Sequence, residues 1–174
     1  MENIVVSDTN IFIDLVKLDL LGDFFSLPWD IHTTDFVINE LTDPEQNAAI
    51  TAFIKRKRLT VGKLNVEEIG EVVDKSNETG GRISITDFSV CHYAKKHKYA
   101  LLTGDKNLRK VAISEGISVH GIIFLFDELV AHAILPPKLA VEIISKLKGI
   151  NTWLPFDEVD SRIKKWNSTI NEKE

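Results

Sequence analysis

Apolar positions along the chain follow two alternating rhythms. Short β-type runs at Asn3–Ser7, Ile31–Thr34, Leu59–Leu64, Tyr99–Thr103 and Ile117–His120 read as strands. Between them the apolar residues recur at helical spacing. Ile13, Val16, Leu20 and Leu21 predict a helix over Thr9–Leu21. Phe36, Val37 and Leu41 predict one capped by Asp35, and Pro44 opens another carrying Ala48, Ala49, Ala52 and Phe53. Val66–Ser76 is a further helix, broken by Gly80-Gly81. Ser84-Ile-Thr-Asp87 starts one that runs to about Lys98, and Asp105 to Glu115 is closed by Gly116 as a C-terminal glycine would close it. Phe124–Ile134, Lys138–Leu147 and Phe156–Trp166 complete the helical set. Strand–helix alternation at this spacing predicts an α/β fold: a parallel sheet of about five strands covered on both faces, with right-handed crossovers. Pro136-Pro137 is the clearest punctuation. It divides an α/β domain over 1–134 from a helical C-terminal extension over 135–174 that is expected to pack on the same domain.

Composition narrows the class. The 174 residues are 44% hydrophobic and 27% charged, which is ordinary globular usage and enough chain to bury a core. The longest apolar run, Ile122 to Phe126, is far shorter than a membrane span, and no basic stretch precedes an apolar core at the N-terminus. A soluble, cytoplasmic protein with no membrane partner is expected. The single cysteine, Cys91, excludes an internal disulfide and a multi-cysteine zinc site, and it lies on the inward stripe of its helix as a small core residue. Net charge is −5, too mild to decide the partner. Locally, residues 95–110 hold six Lys or Arg (Lys95, Lys96, Lys98, Lys106, Arg109, Lys110) against Asp105 alone, and residues 55–58 read Lys-Arg-Lys-Arg. Such runs are either solvated helix faces or footprints of a phosphate-bearing partner.

In open α/β sheets ligands bind beyond the carboxyl ends of the strands. Asp8 directly follows the first strand, and Asp105 follows Tyr99–Thr103 by one glycine. Asp87 starts the apolar stripe of its helix, with Cys91 and Ala94 at i+4 and i+7, so its carboxyl turns inward. Glu40 sits at the edge of the buried face of the helix after the second strand. Each acid alone has a structural use: Asp8 as a turn residue, Asp87 and Asp105 as caps or first-turn acids, Glu40 as an exposed helix acid. Four of them at one sheet edge point instead to a shared acidic site. Carboxylates without a cation repel, and an oxygen-only donor set suits Mg2+ or Mn2+. The five histidines show no His-x-x-x-His or His-Glu-x-x-His spacing, so zinc is disfavoured. An acidic divalent-metal site flanked by basic charge suggests phosphodiester hydrolysis.

Four segments carry a family resemblance. Val6-Ser7-Asp8-Thr9-Asn10, Ile38-Asn39-Glu40-Leu41, Ser84-Ile85-Thr86-Asp87 and Leu101-Leu102-Thr103-Gly104-Asp105-Lys106-Asn107-Leu108-Arg109 resemble, in order and spacing, a PIN-domain nuclease. The subgroup is the VapC-like ribonucleases of toxin–antitoxin pairs. The resemblance implies a PIN-like three-layer sandwich and a Mg2+- or Mn2+-dependent endoribonuclease acting on RNA. Asp8, Glu40, Asp87 and Asp105 would be its catalytic and metal-ligating quartet. Asn10 and Thr103, with Ser84, would orient the carboxylates. A homodimer and a cognate antitoxin are further implied partners. The helices after Pro136 exceed the usual length of such toxins. They could cover an apolar face, take over part of the antitoxin's role, or mediate dimerisation, with Trp153 and Trp166 as apolar anchors.

The competing reading is a non-catalytic RNA- or partner-binding module that keeps the PIN fold. Acyl-phosphate chemistry would want a second Asp two residues after Asp8, where Asn10 stands. No Gly-x-x-x-x-Gly-Lys-Ser/Thr or Gly-x-Gly-x-x-Gly segment supports a nucleotide site.

Overall fold

The structure is a computed structural model describing residues 3–6, 8–152 and 154–171. Ser7, in the first predicted strand, and Trp153 lie outside the described residues. The chain divides into two compact units. One contains residues 1–13 and 28–121, the other residues 14–27 and 122–174, and the division falls inside the first helix.

The first unit is built on five parallel strands: β1 (Asn3–Val6), β2 (Asp30–Thr34), β3 (Leu59–Gly62), β4 (Ala100–Leu102) and β5 (Val119–His120), in the order β3-β2-β1-β4-β5. Its helices are the start of α1 (Thr9–Lys17), then α3 (Asp35–Glu40), α4 (Pro44–Lys55), α5 (Val66–Glu78), α6 (Ile85–His97) and α7 (Lys106–Ser114). The short helix α2 (Leu21–Phe24) belongs to the second unit. The α/β class with about five parallel strands, flanking helices and a helical C-terminal part is as the pattern predicted. Right-handed crossovers put the connections β1-β2-β3 on one face. The return to β4 and the step to β5, carrying α5, α6 and α7, lie on the other. Helix α6 is the keystone of that face. It packs on β1, β2 and β4 and buries Phe88, Val90, Cys91 and Ala94. His32 and Thr34, two apart on β2, turn toward it: His32 Nδ1 meets the Tyr93 hydroxyl at 3.2 Å, and the hydroxyls of Thr34 and Ser89 meet at 2.8 Å.

Helix starts follow local chemistry. The Asp43 carboxylate accepts from the Glu45 and Gln46 N–H groups ahead of α4, and Asn65 and Glu68 form a reciprocal capping box for α5. Helix ends are less obvious. The predicted helix over Thr9–Leu21 stops at Lys17, because Asp19 adopts φ 55°. Its N–H then reaches the Val16 carbonyl while Leu20 N–H reaches Leu15, a Schellman closure. Lys57, Lys98 and Ala133 close their helices the same way without glycine.

The second unit packs α2, α8 (Ile122–Ala131), α9 (Pro137–Ile150) and α10 (Phe156–Asn171) around Phe24, Leu27, Phe126, Leu129, Ile144 and Leu147. Trp166 is buried there against Phe126, with ring centroids 6.4 Å apart. Arg162 Nε donates to both carboxylate oxygens of Asp127, at 2.8 and 3.0 Å, tying α10 to α8. Buried Asp14 accepts from the Asn151 amide at 3.1 Å, and burial raises its pKa. No helix among the described residues is long and apolar enough to cross a membrane.

Candidate active site

Strand order makes β1 the switch point of the sheet. The chain runs from β1 outward to β2 and β3, then returns to β4 and β5 on the other side. A crevice is expected beyond the carboxyl ends of β1 and β4. Val6 pairs with Leu102 there. Asp8 comes two residues after Val6, and Asp105 three after Leu102, so the two acids leave adjacent strand ends, about 4.8 Å apart in the sheet. On the α6 face of the same rim, Asp87 sits in the first turn of α6. Glu40 is the last residue of α3, reached through β2.

Three of these acids have a backbone role as well. Asp8 Oδ1 accepts from Ile11 N–H at 3.0 Å, at the start of α1. Asp105 is the N-cap of α7, its Oδ1 accepting from Leu108 N–H at 2.6 Å. Asp87 is gripped by the N-cap of its own helix. The Ser84 hydroxyl accepts from Asp87 N–H at 3.0 Å and donates to Asp87 Oδ2 at 2.8 Å. Asp8 is buried, Asp87 and Asp105 are half-buried, and Glu40 is exposed.

The electrostatics single out Asp87. Burial raises its carboxyl above the ordinary 3.8; the Ser84 hydroxyl opposes this, and the charges of Asp105 and Glu40 raise it further. Asp87 thus lies within the field of two other members of the quartet. Among the described residues, Arg or Lys ion pairs hold none of Glu40, Asp87 and Asp105. Lysines of this unit pair elsewhere, Lys75 and Lys95 with Glu115 and Lys96 with Glu68. Among the described residues, no group of three or more His, Cys, Asp and Glu side chains is gathered closely enough to hold a metal ion. The carboxylates share a rim without forming a ready-made cage. Their chemistry, oxygen donors only and mutually repelling, is that of a hard divalent cation's ligands.

The three predicted supporting residues fall differently. Ser84 holds Asp87 directly. Thr103, fully buried, takes the Asp105 N–H on its Oγ1 at 3.0 Å and so fixes the exit of β4. Asn10 is exposed on α1. Asp35, read from sequence only as a helix cap, is a further acid of this rim: it follows β2 directly, and its Oδ1 is buried with no hydrogen-bond partner among the described residues. Its place after a strand end was the available signal. Cys91 is buried, and burial pushes its thiol up to about 11, which fits a core residue.

No curated protein matches the chain. Among solved structures, it resembles the crystal structure of VapBC2 from Rickettsia felis bound to a DNA fragment from their promoter. Identity is 16% over 68% of this chain and 98% of that one, with a TM-score of 0.45. It also resembles FitAcB from Neisseria gonorrhoeae, at 15% identity over 67% of this chain and 95% of that one, with a TM-score of 0.39. The family model described as "DUF3368: PIN domain" matches residues 4–168, nearly the whole chain and both compact units. On that match the chain belongs to the DUF3368 family of PIN domains.

Proposed function

We propose that this protein is a divalent-metal-dependent endoribonuclease, hydrolysing RNA phosphodiester bonds beyond the carboxyl ends of β1 and β4. The observation that carries the reading is that the carboxylates share one rim at the sheet's switch point: Asp8 and Asp105 leave adjacent central strands, and Asp87 feels the charges of Asp105 and Glu40. Membership of the PIN family supports it.

A Mg2+ or Mn2+ ion held by Asp8, Glu40, Asp87 and Asp105 would supply Lewis-acid polarisation of the scissile phosphate and lower the pKa of the attacking water. The protein's own part is orientation. Ser84 holds Oδ2 of Asp87 and does not occupy Oδ1. Thr103 fixes the backbone at Asp105, and the α7 N–H group on Asp105 Oδ1 sets the direction of its second oxygen. Burial of Asp8 and partial burial of Asp87 favour neutralisation by a cation over solvation by water. Asn10, as the family resemblance implies, would help to orient the carboxylates.

The experiment is cleavage of RNA by purified protein with Mn2+, compared with Asp8→Asn, Asp87→Asn and the double variant. Loss of cleavage with an unchanged circular dichroism spectrum is expected. Cleavage that persists in the folded double variant refutes the assignment. A second reading, a non-catalytic RNA- or partner-binding module, draws on the lack of a ready-made three-ligand group among the described residues. It predicts neither stabilisation by Mn2+ nor hydrolysis of any RNA. As the family resemblance implies, the nuclease reading also gives the chain a cognate antitoxin and a homodimeric state, tested by co-purification and light scattering.

A further inference from the structure

Beyond β4 and β5 lies a cation that the acidic quartet does not use. Arg109, in the first turn of α7, is half-buried. Its Nη2 donates to the Val119 carbonyl of β5 at 3.4 Å, a long and weak bond. Its Nη1 lies 3.8 Å from where a side chain on Gly121 would begin, and the same point is 3.8 Å from the Thr103 carbonyl. The guanidinium therefore sits over the carboxyl ends of β4 and β5, on the rim that Asp105 leaves. A guanidinium has five N–H donors, and the Val119 carbonyl is the only acceptor Arg109 meets among the described residues. It also makes no ion pair there, although partly buried cations ordinarily find a carboxylate. By contrast, Lys75, Lys95 and Lys96 on the same face of the sheet are all paired. Exposed Lys106, three residues earlier on the same helix, adds a second charge on this flank.

We infer that Arg109 is a substrate-binding residue that holds a phosphate of single-stranded RNA next to the scissile one, on the β4–β5 side of the site. This inference rests on the ribonuclease reading and adds the side from which the strand is gripped. The chemistry is that of a planar fork, pre-positioned by packing and short of acceptors, which matches a phosphodiester bidentately.

The test measures binding apart from hydrolysis. Poly(U) binding is followed by fluorescence anisotropy in EDTA, between about 50 and 200 mM salt, for the wild type, Arg109→Gln, Arg109→Lys and Lys98→Gln. Lys98 is exposed and lies at the opposite end of the sheet, ahead of β4. Arg109→Gln is expected to weaken binding about tenfold and to lower the salt slope by about 0.7, the value of one phosphate contact on a single strand. Arg109→Lys should keep the slope and lose about threefold in affinity, since it retains charge but not the fork. Lys98→Gln should match the wild type. Unchanged affinity and slope in Arg109→Gln, losses equal to those of Lys98→Gln, or no wild-type binding would overturn the inference. If Arg109→Gln fails to melt cooperatively, Arg109→Lys decides: affinity equal to the wild type overturns it. RNA cleavage by the wild type in Mn2+ is scored separately. Cleavage with a silent Arg109 sinks this inference alone, whereas no cleavage sinks the ribonuclease reading.

Discussion

Ser84 offers a quantitative test of how the fold and the site share atoms. Its hydroxyl makes two bonds to one residue, accepting from Asp87 N–H at 3.0 Å and donating to Asp87 Oδ2 at 2.8 Å. The first satisfies an orphan donor of α6 and is an N-cap, worth about 1 kcal/mol. The second is charge-assisted but exposed, worth about 0.5–1 kcal/mol. Ser84→Ala should therefore cost about 1.5–2 kcal/mol. Asp87→Ala keeps the backbone N–H and loses the side-chain acceptor altogether. In that background Ser84→Ala should cost only the cap, about 1 kcal/mol. The double-mutant cycle then gives a coupling of about 0.5–1 kcal/mol, read by urea denaturation followed by circular dichroism.

The same change has a titration signature. The Ser84 hydroxyl lowers the Asp87 carboxyl against the lift from burial. Removing it should move Asp87 further up, visible as a shift of its side-chain carboxyl resonance with pH. The sign can be followed in stability too. A carboxyl raised in the folded state contributes stability below its ordinary 3.8, and that contribution is lost as pH rises through the folded value. At neutral pH ionised Asp87 is a net burden, and Ser84→Ala makes it heavier. Strict additivity in the cycle, together with an unmoved Asp87 titration, would show that the hydroxyl acts only as a cap and would remove Ser84 from the site.

Three further outcomes follow from the packing and charge. Gly62 pairs with Thr34 at the end of β3, and a Cβ there would land on the Tyr93 ring; Gly62→Ala should cost about 1–3 kcal/mol in urea unfolding, and no loss would mean the ring moves freely. Ala133 closes α8 at φ 55° on an exposed surface, so Ala133→Gly should relieve left-handed strain and raise stability by about 0.5 kcal/mol, whereas a loss would contradict the closure. The Lys96 ammonium and the Asn65 N–H hold Glu68 near a pKa of about 2 against an ordinary 4.5, so its stabilisation should be full above 4.5 and vanish as pH falls through about 2. The stability gap between wild type and Glu68→Gln, measured from neutral pH downward, checks this; a gap that widens on acidification would reverse the sign.

Much of the fold was legible because its signals are local. Pro44 starts a helix through its fixed φ, and Ser84, Asp105, Gly80 and Gly116 each start or stop one by a bond within a few residues. The closures at Asp19, Lys57, Lys98 and Ala133 were not legible. They use the left-handed conformation that glycine favours, but at residues whose side chains do not announce it. The grouping of residues 14–27 with the C-terminal helices is likewise non-local. In the site, the strand-end positions of Asp8 and Asp105 could be read from spacing alone. Asp35 occupies the equivalent place after β2, yet its residue type also suits a cap, and only the buried, unpartnered Oδ1 sets it apart. Arg109 looked like one charge in a basic run. What distinguishes it is the lack of a carboxylate partner among the described residues, which depends on where Glu115 and Glu68 fall in space.

Asp8 and Asp105, both proposed to bind metal, also accept a helix N–H, Asp87 is held by the cap of its helix, and this double use has a physical logic. A carboxylate has two oxygens. At Asp105 one is spent on the Leu108 N–H, and at Asp87 one is spent on Ser84. The bond fixes the plane of the carboxyl group, so the second oxygen points in one direction without needing a neighbour to hold it. A cap also lies at the positive end of a helix, which stabilises the charge while the cation is absent. Asn can still accept the N–H bond but offers the site a neutral oxygen, whereas Ala abandons both. Asp105→Asn should therefore keep nearly the wild-type stability and lose Mn2+-dependent stabilisation, while Asp105→Ala should lose about 1 kcal/mol of the cap as well. Equal stability of the two variants would break the link between capping and ligation on which the arrangement of this rim depends.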